Sequence, residues 1–326
     1  MDLPDELKDL ANSLPDLCLK SRSANTVKQY RYAFNNFSKW CQKFYPDISA
    51  LPASDFHVSL YLAHLVKTGS SAAKIQSVSH AISWVHSVAG VKNPCDSELV
   101  KCVKEGAVRD TSRPVEKKEP IEPEHLCLII DIYAHKNCSL SDLRIACMCT
   151  LAYAAFLRFS ELSMLTRGDI NIFEDHIIIH IVKSKTDKYR NGCDVYVART
   201  GTKTCPVSIL ERYMQIAKIE NSEEFLFRSI TLCKKRNYYM LRKCNKPISY
   251  TRAREIILNA FENIGLEKCK FGLHSLRSGG ATAAASAGIS DRLFKKHGRW
   301  RSDSAKDGYV KENILQKLIV TKSLGI

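Results

Sequence analysis

A mainly helical α+β fold built as two units is predicted from three observations. Apolar residues recur at steps of three and four along most of the 326 residues. A β-branched stretch interrupts that period in the second half, and a proline-rich segment separates a nearly neutral first third from a strongly basic remainder. At 45% apolar and 25% charged, the chain has enough hydrophobic material for two cores of ordinary size.

The first helix is expected over residues 23–44, where Val27, Tyr30, Phe34, Phe37, Trp40 and Cys41 form one stripe and Ser23 or Asn25 can cap the start. That aromatic stripe reads as core rather than as a base-stacking platform. Helices over 56–67, 71–89 and 95–108 complete an all-helical unit at 1–109. Residues 110–122 hold two prolines and mixed charge with few apolar groups, the composition of a linker. In the second unit, 123–326, helices are expected at 123–130 and 141–158, the latter rich in Ala, Cys and Leu and buried. Residues 170–182 and 194–198 are β-branched, and the polar Asn-Gly-containing break at 183–193 suggests a β-hairpin or small antiparallel sheet. Helices resume at 206–217, 250–265, 275–288 and 290–296, with another at the C-terminus.

Charge is the first functional clue. The net value is +15, of which residues 1–105 contribute +2 and residues 106–326 contribute +13. Such an imbalance favours a polyanion such as nucleic acid; an acidic membrane is the poorer fit because no basic amphipathic helix stands out. Residues 225–254 carry Arg228, Lys234, Lys235, Arg236, Arg242, Lys243, Lys246, Arg252 and Arg254 with no acid among them, and Tyr238, Tyr239 and Tyr250 are interleaved. A merely solvated face usually mixes both signs, so Lys234, Lys235, Arg236, Arg242, Lys243, Arg252 and Arg254 are candidate phosphate contacts. The first ten residues are acidic and polar, and the apolar run 145–157 falls short of the roughly 20 residues a spanning helix needs, so neither a secreted nor a membrane protein is expected. Thirteen scattered cysteines without metal-ligand spacing point to thiols in a reducing cytosol or nucleus.

Three segments carry chemistry. In Leu157-Arg158-Phe159-Ser160-Glu161 an arginine ends an apolar helix with a carboxylate at i+3. A buried guanidinium needs an anion; Glu161 is the bland partner, and a substrate phosphate with Glu161 orienting the fork is the functional one. In His274-Ser275-Leu276-Arg277-Ser278-Gly279-Gly280 the histidine and arginine share a helix face, next to glycines that admit close backbone approach. A lone histidine is more often a satisfied core group; this one has an arginine at i+3. The third segment is His297-Gly298-Arg299-Trp300, followed nine positions on by Tyr309. An isolated tyrosine carries no signal. The order Arg, Lys, His-x-x-Arg, Trp, Tyr does.

In that order the second unit resembles the tyrosine recombinases, the phage integrase-type family of DNA strand-exchange enzymes. Arg158 with Glu161 looks like the family's first arginine box, Lys185 like its β-hairpin lysine, His274 and Arg277 like its His-x-x-Arg box, and Tyr309 falls at the nucleophile position. The segment from Asn25 to Tyr30 is similar to the start of the family's core-binding domain. Two departures stand out. Trp300 occupies a position where histidine is commoner, and an indole N–H can donate a hydrogen bond but cannot transfer a proton, so His297, one turn upstream, is the alternative for that role. Lys183 and Lys188 flank Lys185 on one loop.

The residue types fit the chemistry in their own right. A phenol with a pKa of about 10 is a weak nucleophile at neutral pH and needs help. Two arginines on the nonbridging oxygens stabilise developing charge, a histidine can take the phenolic proton, and a lysine can protonate the leaving oxygen. No two-metal carboxylate cluster appears, so neither metal nor other cofactor is called for. The resemblance implies a site-specific recombinase or integrase acting through a 3′-phosphotyrosine without ATP, on double-stranded DNA, as a homo-oligomer of two to four copies. Ile314, Leu315, Leu318 and Ile319 stripe a final helix that in this family often packs on a neighbour; docking on its own domain is the alternative. A non-catalytic DNA-binding descendant and a type IB topoisomerase-like enzyme are the rival functions. The cysteine- and lysine-rich style and the His-Gly-Arg-Trp variant resemble recombinases of eukaryotic transposable elements, which would place the protein in a nucleus, and otherwise in cytoplasm.

Overall fold

The computed structural model describes residues 4–114, 116–184, 187, 191–234, 238–312 and 314–325. They form two compact units, 1–116 and 117–326.

Among the described residues the first unit holds five α-helices: α1 (Asp5–Lys20), α2 (Ala24–Phe44), α3 (Asp55–Lys67), α4 (Ala72–Val88) and α5 (Glu98–Thr111). Ser23, Ser54 and Ser71 cap α2, α3 and α4, each accepting from the backbone N–H three residues on. Phe37, Val58, Leu62, Ile75 and Ile82 are fully buried between them. The aromatic stripe of α2 belongs to this core, with the Phe37 and Trp40 rings 5.2 and 5.3 Å from that of Tyr61. Helix α1 has no counterpart among the expected elements: Pro15 lies inside it, and its Leu7, Leu10, Leu14 and Leu17 lie exposed. Helix α5 runs through Asp110 and Thr111, two residues whose surroundings in the sequence have the composition of a linker.

The second unit opens with α6 (Pro123–Tyr133), α7 (Leu140–Ala154) and the single turn α8 (Phe159–Leu162). Strands β1 (Ile170–Ile172), β2 (His176–Ile181) and β3 (Cys193–Ala198) follow, then α9 (Pro206–Ala217), the strand pair β4 (Ile230–Cys233) and β5 (Tyr238–Leu241), and α10 (Tyr250–Asn263). The chain ends with α11 (His274–Ser286), α12 (Asp291–Gly298), α13 (Asp303–Asp307) and α14 (Ile314–Lys322). Helix α7 is buried on every side along Leu143–Ala152, the pattern of a central helix. The sheet is antiparallel in the order β1-β2-β3, with Ile177 opposite Val197 and Ile179 opposite Val195, all four facing the core.

Three expectations change. The helix expected to run to Arg158 stops at Ala154, because Phe156 turns into the left-handed region at φ +47°. The strand expected over 170–182 is two strands reversing at Phe173–Asp175, whose backbone closes the turn from the Phe173 N–H to the His176 carbonyl. The basic stretch contains a β-ladder, β4 with β5, that its lysines and arginines conceal.

Candidate active site

The site grows from the C-terminal end of α7. The left-handed turn at Phe156 redirects the chain so that Arg158 becomes the N-cap of α8. Its backbone N–H donates to Glu161 Oε2 at 2.9 Å and its Nη1 to Oε1 at 2.7 Å. Glu161 is buried. Burial pushes its carboxyl pKa up, but Arg299, the Arg158 N–H and the Arg158 guanidinium outweigh that and hold it below the ordinary value. The bland and the functional partners of Arg158 are therefore compatible: Glu161 takes one edge of the fork and fixes its direction.

Arg277 enters from α11, which approaches α7 closely because Gly280 lies against the Tyr153 backbone, while Gly279 lies against that of Ile121 ahead of α6. Its guanidinium is fully buried, donates through Nη1 to the Phe156 carbonyl and through Nη2 to the Gly298 carbonyl at 2.6 Å, and stands 3.9 Å from Glu161. Burial, then the neighbouring Arg158 and Arg299 charges, lower its pKa to about 10; it remains a cation at neutral pH.

Trp300 and Tyr309 roof this guanidinium. Arg277 Cζ lies 5.0 Å from the Trp300 ring and 4.8 Å from the Tyr309 ring, and the two rings are 5.5 Å apart. Gly298 makes room for the indole, since a side chain there would collide with the Trp300 ring. The exposed His274, on the first turn of α11, brings its ring centroid to 6.5 Å from that of Tyr309. Arg158, His274, Arg277, Trp300 and Tyr309 thus gather although they span more than 150 residues of chain.

Of the two candidates for the penultimate position, Trp300 packs on Tyr309. His297 is bound elsewhere: its Nε2 meets the Ala154 carbonyl at 2.8 Å, and burial, with Arg299 and Arg277 nearby, depresses its pKa. Arg299 has no role in the sequence reading beyond its place in the motif, yet its side chain bonds Glu161, Phe156, Ala155 and His297 at once. The only signal for it is an arginine between Gly298 and Trp300.

Lys185, and Lys235 and Arg236 of the basic run, lie outside the described residues. Lys234, Arg242, Lys243, Arg252 and Arg254 are exposed. The run is less uncompensated than it reads, because acids stand at its edges: Arg252 pairs with Glu255, and Arg228 is buried against Glu224, each at 2.8 Å. Arg228 is a core group rather than a surface cation. Among the described residues no three His, Cys, Asp or Glu gather in a way that could hold a metal ion, and no helix is long and apolar enough to cross a membrane.

Residues 122–314 match the phage integrase family. An integrase/recombinase xerD homolog of Selenomonas ruminantium is 28% identical over 305 residues, covering 91% of this chain and 84% of that protein. Among solved structures, the XerH site-specific recombinase bound to its palindromic difH substrate in a post-cleavage complex has TM-score 0.64 at 13% identity, covering 96% of this chain and 84% of that one. A lambda integrase dimer bound to a COC′ core site has TM-score 0.57 at 15% identity, covering 94% and 95%.

Proposed function

The chain belongs to the phage integrase family, and from that premise we propose that it is a site-specific DNA recombinase that breaks and rejoins strands through Tyr309. One observation carries the assignment of the site. Beside the Tyr309 ring, Arg277 Nε and Trp300 Nε1 are buried donors without a protein acceptor, next to the Arg158 fork that Glu161 aims. Buried donors are almost always satisfied, so a local surplus marks a place for anionic oxygens, and a phosphodiester supplies them.

The Tyr309 oxygen attacks phosphorus as the bond to the 5′-oxygen breaks, leaving a 3′-phosphotyrosine and a free 5′-hydroxyl. Arg158 and Arg277 bind the nonbridging oxygens and stabilise the charge that develops there. His274 takes the phenolic proton and Lys185 protonates the departing oxygen. Attack by another strand's 5′-hydroxyl reverses the step and restores a phosphodiester, so bond energy is conserved. Lys234, Arg242, Lys243 and Arg254 contact backbone phosphates.

Double-stranded DNA and further copies of the chain are the partners. The exposure of Ile314, Ile319 and Val320 on α14 supports packing of that helix on a neighbouring copy over docking on its own unit. A mobile-element origin and a nuclear place of action, suggested by the style of the sequence, belong to this proposal as well. The test is a nicked suicide duplex. Wild type should accumulate a covalent adduct, and Tyr309→Phe should bind equally and form none. Adduct from the phenylalanine variant refutes the assignment, and the DNA trapped on wild type identifies the target and its flanking repeats.

A further inference from the structure

Two of the three non-glycine residues with positive φ among the described residues, Phe156 at +47° and Arg299 at +56°, are bonded to each other. The left-handed conformation is unfavourable for both side chains, and strain of this kind persists only where surrounding structure over-determines it. At Arg299, which ends α12 where glycine is the usual occupant, the surroundings are four acceptors. Nη1 donates to the carbonyls of Ala155 at 3.1 Å and His297 at 2.9 Å, and Nη2 donates to the Phe156 carbonyl at 2.8 Å and to Glu161 Oε2 at 2.9 Å.

Two of those acceptors also hold the other arginines. Glu161 carries Arg158, and the Phe156 carbonyl carries Arg277. Given the strand-cleavage reading above, on which this inference rests, we propose that Arg299 is a positioning residue of that reaction: it fixes the two acceptors from which Arg158 and Arg277 hang, and it supplies a third buried positive charge.

Electrostatics gives the consequence. Three guanidinium groups surround one carboxylate, leaving an excess of two positive charges. A phosphodiester carries one negative charge, and adding a phenolate makes the pentacovalent transition state doubly negative. With Arg299 the excess matches the transition state; without it, the excess matches only the ground state. Glu161, freed of Arg299, also draws more strongly on Arg158 and Arg277, whose forks then serve the carboxylate at the expense of the phosphate. Strand cleavage should therefore suffer far more than DNA binding.

The test uses the full chain and two nicked duplexes, one with the natural scissile phosphodiester and one with an uncharged methylphosphonate there. Arg299→Gly suits the left-handed backbone and removes the side chain. It should bind both duplexes within about threefold of wild type, form adduct on the phosphodiester on the order of 100-fold more slowly, and show less than about a tenfold deficit on the methylphosphonate, whose transition state has one negative charge fewer. Arg299→Lys, which keeps the charge, should lie between. If the glycine variant does not fold, Arg299→Gln is read in its place, neutral but similar in length. Equal deficits on the two duplexes, no deficit, or a loss that follows binding would overturn the proposal and make Arg299 a purely structural cap. A wild type without adduct on either duplex overturns the strand-cleavage reading itself, irrespective of the Arg299 variants.

Discussion

Gly280→Ala sets two opposing terms against each other in the helix that carries Arg277. In a helix interior alanine is preferred over glycine by about 0.5–1 kcal/mol, so helix propensity alone says the variant should be more stable. Packing says otherwise. A Cβ at position 280 would stand 2.7 and 2.8 Å from two carbons of the Phe156 ring and nearer still to the Tyr153 carbonyl. Ordinary carbon contacts are about 3.5–4.0 Å, so α11 would have to retreat from the end of α7 by on the order of 1 Å. Overpacking of this kind costs roughly 1–3 kcal/mol, and both obstacles are anchored: Tyr153 by its helix backbone, Phe156 by its place in the core. The net expectation is a loss of about 1–2 kcal/mol, a fall of roughly 2–8 °C in the melting midpoint of a unit this size. One turn away on the same helix, Arg277 would be pulled from the Phe156 and Gly298 carbonyls. Misplacement by ~1 Å in an active site can cost ~100-fold in rate. Thermal unfolding and adduct formation on the suicide duplex read the two effects. A variant more stable than wild type, or one that cleaves at the wild-type rate, would refute the argument that glycine is there for close approach.

His297 makes the second unit sensitive to acid. Its pKa is depressed, chiefly by burial, so below the unfolded value of about 6.5 the unfolded chain binds a proton that the folded one refuses; stability is full above that pH and declines as pH falls through it. A series of unfolding curves from pH 8 to 5 on wild type and His297→Gln should show a flatter dependence for the variant, and parallel curves would contradict this. The basic run makes a third test: Arg242→Ala and Lys243→Ala should each reduce the salt slope of DNA binding by about 0.9 for every phosphate left without its cation, with the fold intact. Arg228→Ala should instead lower stability, since it strands the Glu224 carboxylate that its buried guanidinium now pairs.

What can be read from the chain follows from how local the signal is. Helix α2 is visible because its stripe repeats every three or four residues and Ser23 announces the start. Arg158 with Glu161, and His274 with Arg277, are visible as pairs because each lies within one helical turn. Trp300 and Tyr309 are visible only through the order of segments. Arg299 is not legible, because its meaning lies in a left-handed backbone and in a carboxylate 138 residues away. Arg228 misleads for a related reason: a window drawn at residue 225 excludes the acid at 224 that pairs with it. Helix α1 escapes notice because a proline and a run of acids obscure leucines at steps of three and four.

The arrangement around Arg277 also explains how a guanidinium can be fully buried. Its cost is offset by the end of α7, where the carbonyls of Ala154, Ala155 and Phe156, left over by the helix, receive His297, Arg299 and Arg277, and where the negative pole of the helix favours cations. Glu161 supplies the rest. The remaining face of Arg277 is closed by Trp300 and Tyr309 through cation–π contact, worth roughly 0.5–2 kcal/mol. On the proposed function a phosphate meets Arg277 differently from the rings: its oxygen would accept from the unpartnered Nε at the edge of the guanidinium plane, leaving the face on Trp300 and Tyr309.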